Sequence, residues 1–116
     1  MKINVVETFT ETPGGRTRAD GEFSGQEFRE TILNPIIDKI LETQEELEID
    51  LDGGYGYGSS FLEEVFGGMI RELKFKKISL NRIKDLKKRI FIKSDDEPVL
   101  IRQIDEYMEQ SIADEE

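Results

Sequence analysis

The 116-residue chain contains no cysteine and no histidine. Without cysteine it has no disulfide, no thiolate metal site and no thiol nucleophile, which fits a reducing compartment. Without histidine the commonest general base near neutral pH is missing, so Ser-His-Asp and Cys-His mechanisms are excluded. A zinc site would need carboxylates alone, which is unusual. We therefore expect no enzymatic activity, no metal and no cofactor.

Long apolar runs are missing as well. The first residues, MKINVVETF, contain no signal-peptide core, and no run approaches the length of about 20 residues that a membrane span needs. We expect a cytoplasmic protein that does not enter a membrane. The length suits one domain, which we place at residues 1–112, followed by a frayed acidic tail at 113–116.

Basic residues are scarce relative to acidic ones, with 16 Lys/Arg against 26 Asp/Glu and a net charge of −10. A charge of this size repels nucleic acid, so we expect no nucleic-acid partner. The bases are concentrated in residues 71–93, which carry a net +8, whereas residues 95–116 carry −8. The basic stretch either folds against the protein's own acidic surface or contacts phosphate or an acidic partner.

Four segments have the character of strands. Residues 1–9 are rich in β-branched side chains, and after the turn at 12–16 the segment 17–23 is a candidate second arm of a hairpin. The segment LEIDL at 47–51 alternates apolar and acidic residues, and RIFIK at 89–93 follows later. These segments predict an α/β domain with a mixed sheet of about four or five strands flanked by helices.

Helix starts are marked by serines. Ser24 and Glu27 form a capping box, which predicts a helix to about Thr43, with either a bend near Asn34-Pro35 or a division there into two shorter helices. Ser59 or Ser60 is expected to cap a second helix, because a clear apolar face follows. Similar signals predict a basic helix at 80–88 after Ser79 and a last helix that starts within SDDEP at 94–98 and runs to about Ser111.

The most informative stretch is IDLDGGYGYGSSFLEEVFGG at 49–68, a strand, a glycine loop and a helix start. Such junctions often carry binding sites in α/β proteins. Gly53 and Gly58 have Walker A spacing, but Ser59 stands where the lysine is required, and no G-x-G-x-x-G fits. The loop is therefore either a tight structural turn or a regulatory or partner-binding site, with a phosphate or nucleotide ligand as the weaker alternative.

Several side chains at this junction can serve recognition. Ser59 and Ser60 have no imidazole to activate them, so phosphorylation suits them better than nucleophilic catalysis. Tyr55 and Tyr57 either contact a partner or pack over the helix end. Gly67 and Gly68 lie off the predicted apolar face, and two glycines within a helix indicate that something approaches closely there.

Charged residues around the loop are candidate anchors. Asp50 and Asp52 are two apart, so an extended strand puts both on one face, where they favour hydrogen bonding within the loop over metal binding. Arg16 and Arg18 are expected to reach Asp20, Asp50 or Asp52, or alternatively to contact an anion or a partner near the loop.

Five motifs together resemble a bacterial and phage family of STAS-like domains of unknown function. They are Pro13-Gly14-Gly15-Arg16, Ser24-Gly25-Gln26-Glu27-Phe28-Arg29, Gly56-x-Gly58-Ser59-Ser60-Phe61-Leu62-Glu63-Glu64-x-Phe66-Gly67-Gly68, Lys93-Ser94-Asp95-Asp96 and Ile104-x-x-Tyr107.

The resemblance implies a fold similar to anti-sigma-factor antagonists, whose D-S-S-G-x-G motif opens a helix. By this resemblance Ser60 matches the serine that a partner kinase phosphorylates, and a histidine-kinase-like ATPase is the implied partner. Gly58 replaces the aspartate before the serines, and Phe61 replaces the glycine after them.

We therefore expect a non-enzymatic regulatory module that binds a protein partner. The expected contact residues are Tyr55, Tyr57, Ser59, Ser60, Glu63 and Glu64, with Arg16, Asp50 and Asp52 as loop anchors and Ser60 as the phosphorylation site. The alternatives are a domain that binds a phosphate or nucleotide ligand, and an acidic phage-type inhibitor that mimics nucleic acid. The residues do not determine the oligomeric state.

Overall fold

Three short parallel strands form the sheet in the computed structural model, which describes residues 1–114. They are β1 (Lys2–Asn4), β2 (Leu47–Asp50) and β3 (Ile90–Lys93), adjacent in that order. Ile49 pairs with Ile3 on one side and with Ile92 on the other. Parallel neighbours need crossover connections, and helices supply both of them.

The helices of the described part are numbered α1 to α5. Helix α1 is Val5–Thr8, α4 is Leu80–Lys88 and α5 is Val99–Ala113. Helix α2 runs without a break over residues 25–41, and α3 over residues 59–75. Among residues 1–114 no helix combines the length and apolar character that crossing a membrane requires.

The helices cover one face of the sheet. In β2, Leu47 and Ile49 are fully buried, whereas Glu48 and Asp50 are partly exposed. Right-handed crossovers between strands in sequential order place their helices on the same side, which accounts for this alternation. The buried core includes Val5, Phe28, Leu33, Ile37, Ile40, Phe61, Leu62, Val65, Phe66, Met69, Ile70, Leu73, Ile83, Leu86, Ile104 and Met108.

Both long helices contain one turn of π-helix, at Arg29–Leu33 in α2 and at Glu63–Gly67 in α3. Pro35 explains the first turn, because it has no N–H to donate to the carbonyl four residues earlier. The N–H of Asn34 instead donates to the carbonyl of Arg29, five residues back. The bend expected at Pro35 is thus absorbed as a π-turn within a continuous helix.

Gly67 and Gly68 allow α3 to pack against its neighbours. Both are buried, and they lie off the apolar face as predicted, because the side chains nearest to them are the charged and polar ones of Arg29, Glu63, Glu64, Arg71 and Ser111. A Cβ on Gly68 would lie 2.8 Å from Nε of Arg29, and one on Gly67 would lie 3.1 Å from Oγ of Ser111 in α5. The expected close approach is therefore made by α2 and α5 of the same chain.

The predicted N-terminal hairpin is wrong, and the described part has three strands where four or five were expected. Strand β1 ends at Asn4, whose Oδ1 accepts the N–H of Glu7 at 2.9 Å and caps α1. Residues 17–23 form no strand, because the Asp20 carboxylate accepts the N–H of Thr17 at 3.0 Å and closes a 3₁₀ turn at Arg18–Asp20. In both places a polar side chain accepts a backbone N–H from a residue three positions away, which favours a turn over a strand.

The remaining elements lie close to where the sequence places them. Strands β2 and β3 lie within the predicted segments, and Ser24 and Ser79 cap α2 and α4 through the N–H groups of Glu27 and Arg82. The cap of α3 differs, because Gly58 is the N-cap and neither Ser59 nor Ser60 caps the helix. Of the tail predicted to be frayed, Ala113 belongs to α5, and residues 115–116 lie outside the described residues.

The contact between the starts of α2 and α3 leaves no space for a side chain at position 25. A Cβ on Gly25 would lie 2.7 Å from the carbonyl oxygen of Phe61 and 3.3 Å from its Cα. Because these are backbone atoms, we expect Gly25→Ala to force the helices apart and to lower the free energy of unfolding by about 1–3 kcal/mol. Urea denaturation followed by circular dichroism measures this change.

Gly58→Ser is the matched control. A Cβ there would meet no atom within 4 Å in the described part of the chain, residues 1–114. Serine is also a good N-cap residue, so its stability should equal or exceed that of the wild type. Equal stability of Gly25→Ala and the wild type would contradict the tight contact between the helices.

Candidate functional site

The loop at 51–58 lies at the carboxyl edge of the sheet, where β2 ends and α3 begins. Strand β3 ends beside it at Lys93, followed by the loop at 94–97. In α/β proteins this edge is the usual place for ligand and partner sites.

Asp52 joins the two loops. Its Oδ2 accepts from Nζ of Lys93 at 2.8 Å and from the N–H of Asp95 at 3.0 Å, while its Oδ1 accepts from the N–H of Asp96 at 2.9 Å. Asp96 returns the contact, because its carboxylate accepts the N–H of Gly53 at 3.0 Å. The N–H of Asp96, then Lys93 and the N–H of Asp95, lower the pKa of Asp52 to about 2.

Asp50 and Lys93 complete this cluster. Asp50 accepts the N–H of Asp52 at 2.9 Å, and its second oxygen lies 3.9 Å from Nζ of Lys93. Asp52 and then Asp95 raise the pKa of Lys93. Asp50 and Asp52 therefore anchor the loop, and the cation beside them is Lys93. Arg16, the third expected anchor, lies instead against Glu63 and Glu64.

The two tyrosines of the loop have opposite surroundings. The hydroxyl of Tyr57 donates to the carbonyl of Leu51 at 2.9 Å, and its ring packs on Phe61 with centroids 5.9 Å apart. Burial, with the charges of Asp50 and Asp52, raises the pKa of Tyr57. Tyr55, in contrast, is 83% exposed.

Glycine backbone geometry shapes the loop on either side of Tyr55. Gly53 and Gly56 have φ values of 102° and 114°, which side-chain-bearing residues rarely adopt. The N–H of Tyr55 donates to the carbonyl of Glu11 at 3.1 Å, which ties the loop to the N-terminal segment. The loop thus exposes the Tyr55 ring, while Asp96 and Glu11 accept the backbone N–H groups of Gly53 and Tyr55.

Ser59 and Ser60 begin α3 and are both exposed. The first backbone bond of the helix runs from the N–H of Leu62 to the carbonyl of Gly58 at 3.2 Å. The amides of Ser59, Ser60 and Phe61 therefore have no acceptor within the helix, as at any helix start. We call the exposed side chains of Tyr55, Ser59 and Ser60 the loop surface.

Glu63 and Glu64 are occupied by arginines of the same chain. Glu63 accepts from Arg16 and, at 2.6 Å, from Arg71, and these contacts, Arg71 first, lower its pKa. Glu64 accepts from Arg29 at 2.8 Å and lies 3.7 Å from Arg16. Their side chains are only 24% and 14% exposed, so they border the loop surface and point into the fold.

Sequence reasoning missed Lys93, Asp96 and Arg29 as organising residues. Lys93 and Asp96 follow a different strand from Asp52, so only the parallel pairing of β2 with β3 shows that they meet. For Arg29 the available signal was Gly68, whose missing side chain leaves the space that the guanidinium fills. Within residues 1–114 no group of three or more Asp and Glu side chains is placed to hold a metal ion.

The fold and this loop-to-helix junction define a small α/β domain of the STAS type. The family model for the STAS-like domain of unknown function matches residues 24–100, about two thirds of the chain, and the chain belongs to this family. The match contains the loop surface and the Asp52 cluster, whereas β1 and Arg16 lie before it. No curated protein and no solved structure matches the chain.

The low pKa of Asp52 predicts a distinct pH dependence of stability. A carboxyl whose folded pKa lies near 2, below an unfolded value of about 3.9, stabilises the fold above about pH 4 and loses this contribution as the pH falls towards 2. The variant Asp52→Asn lacks this titration. The difference in free energy of unfolding between the wild type and Asp52→Asn should therefore shrink over this range, as measured by urea denaturation at each pH.

Asp95→Asn serves as the control for this measurement. The Asp95 carboxylate lies in the same cluster, 3.1 Å from Lys93, but it is exposed and accepts no backbone N–H within residues 1–114. A difference for Asp52→Asn that stays constant from neutral pH to about pH 2 would refute the assigned role of Asp52.

Proposed function

We propose that the chain is a non-enzymatic regulatory module that binds a protein partner through the loop surface. The observation that carries this proposal is the exposed ring of Tyr55 beside the exposed hydroxyls of Ser59 and Ser60, on a loop whose base is pinned by Asp52. A tyrosine held outward on an ordered loop offers contact area with little loss of conformational entropy on binding.

Local charge favours a protein over a small anion at this surface. The three amides at the start of α3 suit a phosphate or nucleotide ligand, which is the second candidate. The neighbouring cations are already neutralised, however, because Arg16 lies against Glu63 and Glu64, and Lys93 against Asp50, Asp52 and Asp95. A phosphate would therefore meet amides without an available counter-charge.

Ser60 is the proposed switch within this surface. A phosphate there would add nearly two negative charges where a partner makes contact, while the helix N-terminus would stabilise the modified free state. The match to the phosphorylated serine of anti-sigma-factor antagonists supports Ser60 over Ser59. Phe61, which replaces the glycine of that motif, is buried against Tyr57, so a kinase would recognise different flanking residues here.

A histidine-kinase-like ATPase is the proposed partner, on the strength of the same resemblance. Such a partner would bind the unmodified loop surface and transfer phosphate from ATP to the Ser60 hydroxyl, with ADP as the product. The domain itself would supply no catalytic group.

Tyr55→Ala and Ser60→Glu should each weaken binding of this partner by about tenfold or more. Tyr55→Ala removes an exposed ring, and Ser60→Glu adds charge within the contact. The partner is first identified by a photo-cross-linking residue at position 55 in host cells, with one at exposed position 39 as a background sample. Affinities of the purified pair are then measured by calorimetry.

Matched variants elsewhere control for the two changes. Phe91→Ala removes an aromatic ring that is 47% exposed, and Gln44→Glu adds one charge at an exposed site outside the loop. Both should leave the affinity unchanged. Undiminished binding of Tyr55→Ala and Ser60→Glu would eliminate the loop surface as the contact.

Phosphorylation is tested with the same partner and ATP. We expect one phosphate on the wild type and on Ser59→Ala, and none on Ser60→Ala, as determined by mass spectrometry of the intact chain and its peptides. Phosphate on Ser59 alone, or equal labelling of Ser60→Ala, would contradict the assignment to Ser60.

A further inference from the structure

A basic and apolar surface lies at the opposite end of α3 from the loop surface. It comprises Phe75, Lys77, Leu80, Lys84, Lys88 and Ile112, and we call it the α4 surface. Ser59 and Phe75 are the two ends of one helix. The rise of 1.5 Å per residue separates them by about 24 Å. A partner on the α4 surface would therefore leave the loop surface accessible.

The α4 surface exposes large apolar side chains beside a groove. Phe75 is 81% and Leu80 46% exposed. Leu80, Ile112 and Ala113 line a cavity of about 600 Å³ between α4 and the end of α5, and its other lining residues are Lys84, Lys87, Lys88 and Glu109. Leu80, Lys84 and Lys88 are four residues apart, so they form one stripe along α4.

Most of the basic stretch is neutralised by the chain's own carboxylates, but the α4 surface is not. Ion pairs within 4 Å occupy Arg71, Lys76, Arg82, Lys87, Arg89 and Lys93. In contrast, Lys77, Lys84 and Lys88 have no carboxylate within 4 Å among residues 1–114. The expectation that the basic stretch folds against the protein's own acidic surface is therefore confirmed for these six paired side chains, whereas Lys77, Lys84 and Lys88 leave the alternative, contact with phosphate or an acidic partner, as a prediction.

We propose that the α4 surface docks an acidic amphipathic segment of a partner protein. Its apolar side chains would cover Leu80 and Ile112 in the groove, and its carboxylates would lie against Lys84 and Lys88. The lysines call for an acidic segment by charge complementarity, and the apolar side chains in the groove call for apolar residues in that segment. An acidic segment without apolar residues would leave the groove uncovered.

The charge distribution favours a short protein segment over nucleic acid. Three exposed lysines attract negative charges mainly within a Debye length, which is about 8 Å at physiological ionic strength. The whole chain carries −10, so an extended polyanion would be repelled by the acidic surface around the lysines. A segment that covers only the groove avoids this repulsion.

Binding of a fluorescein-labelled synthetic helix with Glu and Leu on opposite faces tests the proposal by fluorescence anisotropy. We expect the wild type to bind the helix and the double variant Lys84→Glu/Lys88→Glu to bind it at least about tenfold more weakly. The charge-matched control Lys2→Glu/Lys39→Glu, at exposed positions outside the surface, should bind like the wild type. Circular dichroism confirms that every variant is folded.

Three results would overturn the proposal. The first is no binding by the wild type, and the second is equal loss of affinity in both double variants. The third is that a single-stranded oligonucleotide or anionic vesicles bind more tightly than the acidic helix, and that this binding depends on Lys84. Because the variants leave Tyr55, Ser59 and Ser60 intact, failure here is independent of the loop surface.

Discussion

The charge of Asp52 is the constraint on which the candidate site depends. One carboxylate binds Lys93 and two backbone amides of the loop after β3, and Asp96 binds Gly53 in return. A loop with four glycines among eight residues would otherwise lose much entropy on ordering. The residues that follow two adjacent strands hold the start of this loop, and the Tyr55 ring is exposed beyond it. A partner then meets a surface that is already in place.

A second contact, inside the fold, joins α2 to α3. Arg29 and Glu64 lie in the π-turns of the two helices and form an ion pair beside Gly68. A largely buried ion pair of this kind adds little net stability, but loss of one partner leaves an uncompensated charge. Nε of Arg29 is buried and has no hydrogen-bond partner among residues 1–114. The pair thus joins α2 to the first turns of α3 through one direct contact.

The sequence predicted most helices as well as β2 and β3, because those signals are local: alternation in LEIDL and the serines before α2 and α4. It failed where a side chain accepts a backbone N–H from three residues away, as those of Asn4 and Asp20 do, and so it predicted a first strand that is too long and a hairpin arm at 17–23 that does not form. Asp50 and Asp52 were recognised as anchors, but their cation was not. Lys93 is 41 residues from Asp52 in the chain, and only the strand pairing brings them together.

Amide hydrogen exchange by NMR tests most directly whether Asp52 holds the two loops as one unit. We expect strong protection at Gly53, Asp95 and Asp96, whose N–H groups bind carboxylates. We expect little protection at Ser59 and Ser60, whose amides lie at the start of α3. In Asp52→Asn the protection of Asp95 and Asp96 should fall together. Protection factors at Asp95 and Asp96 as low as those at Ser59 in the wild type, or unchanged in Asp52→Asn, would contradict the role of Asp52 in joining the loops.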